Sequence, residues 1–67
     1  MMYNTIEIRD QEHLNPLEVI LVADDMERKG IKHYTMARGN DCIWVYYGAL
    51  NLYYIFRDGK ILTVQVD

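Results

Sequence analysis

The chain has 67 residues, of which 51% are hydrophobic and 25% charged, with ten acids against seven bases for a net charge of −3. That length is expected to make one domain spanning residues 1–67, burying roughly 60% of the surface its unfolded form exposes, and the composition is too apolar for a disordered segment. The acidic balance argues against direct nucleic-acid binding, because phosphate-backbone binders draw most of their affinity from clustered Lys and Arg.

Residues 2–8, MYNTIEI, alternate with period two and carry β-branched residues, so a first strand is predicted with Asn4, Ile6 and Ile8 on one side. The charged run RDQEH ends it. Three features then agree on a helix start at LNPLEV, residues 14–19. Asn15 suits the N-cap, and Pro16 at the first helical position loses only a donor that had no partner. Glu18 falls at the third helical position, where it complements the positive helix end, and Leu14 and Val19 have the spacing of a hydrophobic staple. The helix is predicted to run to about Lys29, with Gly30 as the left-handed residue that ends it and Ile31 as the following apolar contact. Val19, Val22, Ala23 and Met26 make the core stripe, while Leu17, Ile20 and Leu21 form a second, shorter one.

From residue 31 the chain reads as strands: IKHYTMAR, a Gly39-Asn40-Asp41 turn, CIWVYY, a break over Gly48 to Asn51, LYYIFR, an Asp58-Gly59 turn, and KILTVQV. Asp-Gly between apolar runs signals a tight hairpin, because its turn needs positive φ at both central residues. The expected fold is α+β, in the order β-α-β-β-β-β: a single antiparallel-rich sheet with one helix packed on one face.

A two-residue Asp58-Gly59 turn predicts the pairs Arg57–Lys60, Phe56–Ile61, Ile55–Leu62, Tyr54–Thr63, Tyr53–Val64 and Leu52–Gln65. Placing the more aliphatic sides under the helix then assigns Ile43, Val45, Tyr53, Ile55, Leu62, Val64 and Val66 to the covered face. Trp44, Tyr46, Leu52, Tyr54, Phe56 and Ile61 are left for the open face. One helix about 10 Å wide cannot cover a sheet more than 20 Å across, so an exposed aromatic face is expected. A parity shift at the Gly48 break would move Tyr47 or Tyr53 to the other side.

Catalytic signals are few. The single cysteine, Cys42, has no intramolecular disulfide partner, and one cysteine with two histidines, His13 and His33, does not have the spacing of a zinc site. Asp24, Asp25 and Glu27 read as a solvated helix face with Arg28, Lys29 and Lys32 nearby, and no phosphate loop, nucleophile elbow or HExxH motif occurs. ADDMERKGIKHY, residues 23–34, is similar to a di-iron carboxylate helix but lacks the Glu-x-x-His pair. RGNDCIWVYY resembles an RNA-recognition segment only in its Arg-Gly opening, since Asn40 and Asp41 stand where aromatic and small residues belong. Neither family is claimed.

No apolar run approaches the ~20 residues that span a bilayer. No basic-then-apolar leader precedes the first strand, so a cytoplasmic location is expected. The function expected is that of a small acidic binding protein, not an enzyme, with no cofactor and no metal. It would dock a protein partner as an inhibitor or adaptor through Trp44, Tyr46, Leu52, Tyr54, Phe56 and Ile61. Phage or mobile-element inhibitors of host defence or nucleic-acid enzymes share this composition. The alternative is a homo-oligomer, such as a homodimer, that binds an aromatic or nucleotide-like ligand between subunits.

Overall fold

A computed structural model of the chain describes residues 5–66. Strand β1 spans Thr5–Ile8, helix α1 Pro16–Arg28, β2 His33–Arg38, β3 Ile43–Tyr47, β4 Leu50–Arg57 and β5 Lys60–Val66. A short 3-10 turn, Gln11–His13, precedes α1, where the sequence reading has only a charged break. The strands form one sheet in the order β1-β2-β3-β4-β5, with β1 parallel to β2 and every other pair antiparallel. The α+β order expected from the sequence is the one observed. Residues 2–4 of the predicted first strand, Asn4 among them, lie outside the described residues.

The parallel β1–β2 pair dictates the role of α1, since parallel neighbours need a crossover and this helix supplies it. Its start follows the predicted chemistry: the Asn15 side chain accepts a hydrogen bond from the Leu17 amide at 2.9 Å, and Pro16 opens the helix. Leu14 is buried and Val19 packs against the same core, which completes the staple. At the other end Gly30 has φ 75. The Ile31 amide donates to the Met26 carbonyl and the Gly30 amide to the Glu27 carbonyl, both at 3.0 Å, closing the helix with a Schellman motif.

The buried core comprises Leu14, Val22 and Met26 beneath the helix, and Tyr34, Met36, Ile43, Val45, Leu52 and Tyr54 on the sheet. Each such side chain contributes about 1.5–3 kcal/mol relative to exposure. Ile8, Val19, Ile31, Tyr47, Phe56, Ile61 and Val64 pack around this cluster. The second helix stripe is left largely uncovered, with Leu17 67% and Ile20 62% exposed.

Two details of register overturn part of the expected division of faces. First, Tyr47 pairs directly with Leu50, so Gly48-Ala49 is a two-residue turn, with φ 59 at Gly48. That turn pairs odd-numbered residues of β3 with even-numbered residues of β4: Ile43 with Tyr54, Val45 with Leu52 and Trp44 with Tyr53. Paired residues share a face, so Leu52 and Tyr54 join Ile43 and Val45 under the helix, while Tyr53 and Ile55 go to the open side. Second, the β4–β5 ladder slips between Ile55 and Phe56. Arg57 pairs with Lys60 and Phe56 with Ile61 as expected, but Ile55 pairs with Thr63, Tyr54 with Val64, Tyr53 with Gln65 and Leu52 with Val66. Leu62 is the extra residue of a bulge, which displaces the remaining expected pairs by one.

Candidate functional site: the open face of the sheet

The uncovered face is built from two rows of paired residues. Ala37, Trp44, Tyr53 and Gln65 form one row, and Glu7, Thr35, Tyr46 and Asn51 the other. Trp44 sits where they meet. Its ring stacks on Tyr46, with centroids 5.6 Å apart and planes 8° from parallel. It meets Tyr53 edge-on at 3.7 Å and 76°. Its other neighbour is the backbone of Gly39, where an added Cβ would collide with the Trp44 ring and come within 2.6 Å of Cys42 Sγ. Gly39 is therefore required for space, in contrast to Gly48 and Gly59, whose φ values of 59 and 72 call for glycine on backbone grounds. Packed on three sides, the indole is held in one orientation.

Beside this ring lies an open hollow of about 380 Å³, lined by Trp44, Tyr53, Ile55, Gln65, Cys42 and the turn residues Asn40 and Asp41. Asp41 has φ 60, a left-handed conformation that Asp tolerates better than most residues. The site thus combines two aromatic walls and an aliphatic one with a rim of amides and one carboxylate.

Of the six residues predicted for this face, the structure places Trp44 and Tyr46 on it. Leu52, 2% exposed, and Tyr54, 0% exposed, are core residues instead. Phe56 and Ile61 pack against the core from the helix side. These four placements are corrected by the same cause, the two-residue turn at Gly48-Ala49. The residue that sequence reasoning missed is Tyr53, assigned to the covered face but found against Trp44. The signal that locates it was present in the glycine at the first position of a two-residue hairpin turn.

Tyr54 has a different role. Its hydroxyl donates to Asp25 Oδ2, which also accepts from Lys29 Nζ at 2.5 Å. Burial of Asp25 opposes its ionisation, but the hydrogen bonds from Lys29 and Tyr54 and the charges of Lys29 and Arg28 outweigh it, holding the carboxyl below its usual range. Burial, followed by the hydrogen bond and charge of Asp25, pushes the Tyr54 phenol far above its ordinary value. The result is a polar clasp between helix and sheet.

The remaining candidates for chemistry are dispersed. Cys42 is half-buried; burial raises its thiol pKa, and Asp41 adds to the effect of burial while Arg38 opposes it. His13 and His33 are exposed. Asp24 pairs with Arg28 at 2.7 Å. Among the described residues no three His, Cys, Asp or Glu side chains converge as a metal site, and no helix is long and apolar enough to cross a membrane. A second hollow of about 520 Å³, lined by Glu18, Arg38, Asp41, Arg57, Phe56 and Leu62 among others, mixes both signs of charge. Compared with protein-family models, curated proteins and solved structures, the chain matches none of them.

Proposed function

We propose that this protein is a small non-catalytic binding protein that docks a protein partner through the open sheet face, with Trp44, Tyr53 and Tyr46 as anchors. The observation that carries this reading is the fixed Trp44 ring beside an apolar hollow on a face without a covering helix. A ring already held in place loses little conformational freedom on binding, and Trp and Tyr are the residues that dominate interface energetics. The raised pKa of the Cys42 thiol, which disfavours the thiolate a nucleophile needs, supports a role without catalysis. The narrower reading, a phage or mobile-element inhibitor of host defence or of a nucleic-acid enzyme, is supported by small size and acidic charge alone.

The test is capture of a partner by immobilised protein, comparing wild type with Trp44→Ala, Tyr53→Ala and the helix-side control Leu17→Gln, each verified as folded by circular dichroism. A partner retained by wild type and by the control, and weakened at least about tenfold by Trp44→Ala, is expected for loss of a central aromatic anchor. Equal recovery by all four proteins would sink the reading. Tyr54→Ala is unsuitable for this purpose because it removes a core residue.

A further inference from the structure

The hollow beside Trp44 has an uneven lining. Trp44, Tyr53 and Ile55 make its walls, Asn40 and Gln65 contribute amides, and of the lining side chains Asp41 alone is charged at neutral pH. Among the described residues the Asp41 carboxylate forms no ion pair and accepts no hydrogen bond. It also stands on the rim of the neighbouring hollow with Arg38, Arg57 and Glu18, yet neither guanidinium pairs with it. The other carboxylate on this face, Glu7, is by contrast held by Arg9 at 2.9 Å. An open anionic acceptor is thus left beside two aromatic rings.

We propose that this hollow receives an arginine side chain of the partner, an assignment that rests on the docking reading and adds to it the chemistry of the central contact. Three properties of the lining select a guanidinium. Aromatic rings carry negative potential on their faces and attract cations, arginine more often than lysine. A guanidinium has five N–H donors and no acceptor, which suits a rim whose carboxylate and amide oxygens all accept. Its methylene stem is apolar and covers a wall such as Ile55 while the charged head stays at the rim.

Other anchors fit less well. An apolar side chain matches the walls but would cover Asp41 without supplying a donor, and a carboxylate withdrawn from water without a partner is costly. An acidic side chain is repelled by it. The volume of about 380 Å³ lies near the lower end of the roughly 300–1,000 Å³ of ligand pockets, so the hollow suits a single side chain. The net charge of −3 draws basic segments toward the chain. Arg57 and Lys60, the cations further along this face, pair with each other beyond Ile55 at the hairpin end, so the arginine enters on the Trp44 side.

Three peptides test the assignment: acetyl-Gly-Xaa-Gly-amide with arginine, citrulline or norleucine in the centre. Binding is read by NMR from the single indole N–H resonance of Trp44 and the backbone amide of Asp41. Citrulline keeps the shape of arginine and lacks its charge. The arginine peptide should bind at least about tenfold more tightly than the other two. Asp41→Asn, which keeps a residue tolerant of φ 60, should bring it down to the citrulline level. Gln65→Glu, at an exposed position on the same rim, should strengthen it about threefold. Equal binding of arginine and citrulline overturns the proposal, and so does the failure of every peptide to move either resonance at millimolar concentration, or an arginine affinity unchanged by both substitutions. The docking reading survives each of these outcomes and fails separately, when partner capture is indifferent to Trp44→Ala. A partner released by Trp44→Ala but retained in full by Asp41→Asn would keep that reading and discard the arginine.

Discussion

The two faces of this sheet use the same residue types to opposite effect. On the helix side Tyr54 is fully buried, its phenol tied to Asp25; on the open side Tyr53, its immediate neighbour, stands half-buried against Trp44. Strand alternation sends adjacent tyrosines to opposite faces, and what separates a structural aromatic from a candidate contact aromatic here is one step of register. Aromatic content therefore carries no information about role until parity is known.

The comparison is most easily broken by truncating both tyrosines. Tyr54→Ala leaves a large cavity and an Asp25 carboxylate held by Lys29 alone, and should cost about 3–5 kcal/mol, whereas Tyr53→Ala should cost clearly less. Urea midpoints for the two variants measure the difference, and equal losses would mean that the open-face cluster stabilises the fold as much as the core does.

Gly39→Ala comes next. Its methyl group would collide with the Trp44 ring, and overpacking of this kind costs about 1–3 kcal/mol. A control alanine at an exposed helix position, Glu27→Ala, should stay within roughly 0.5 kcal/mol. If Gly39→Ala is equally neutral, the indole is mobile and not fixed by its neighbours.

Tyr54→Phe isolates the clasp, removing one hydrogen bond to a charged group at a cost of about 1–2 kcal/mol. Its pH dependence has a definite sign. The Asp25 pKa is lowered in the folded state, so its contribution is present above the ordinary carboxylate value of about 3.9 and lost as pH falls through the folded value. The Tyr54 pKa is raised, so its contribution is complete below the ordinary phenol value of about 10 and is lost as pH rises toward the folded value. The stability gap between wild type and Tyr54→Phe should therefore be flat between these limits and close at both ends; a gap that changes through neutral pH would point to a different group. The smallest effect is expected for Leu17→Gln with Ile20→Gln, within about 0.5 kcal/mol of wild type, because both side chains are already largely in water.

Much of the fold could be read from local chemistry. Asn15, Pro16 and Gly30 fix the ends of α1, and Asp58-Gly59 fixes the last hairpin, because each acts on backbone groups within a few residues. The site was less legible. Assigning faces needs register across β3 and β4, and the Gly48-Ala49 turn that sets it reads from sequence as a break over Gly48 to Asn51, at which a parity shift of Tyr47 or Tyr53 is recognised but not resolved. Applied there, the rule used for Asp58-Gly59 brings Leu52 and Tyr54 under the helix and Tyr53 out. The bulge at Leu62 had no local signal, since no glycine marks it. Nor did composition reveal that Gly39 clears space for a ring five residues away.

Trp44 is the chain's only tryptophan, and it lies on the uncovered face. Its fluorescence is therefore a built-in reporter of that face, with no label required. A molecule that settles against the indole should shift its emission toward the blue by excluding water, while one that binds elsewhere leaves the spectrum unchanged. The same side chain that nominates the surface makes its occupancy visible in solution.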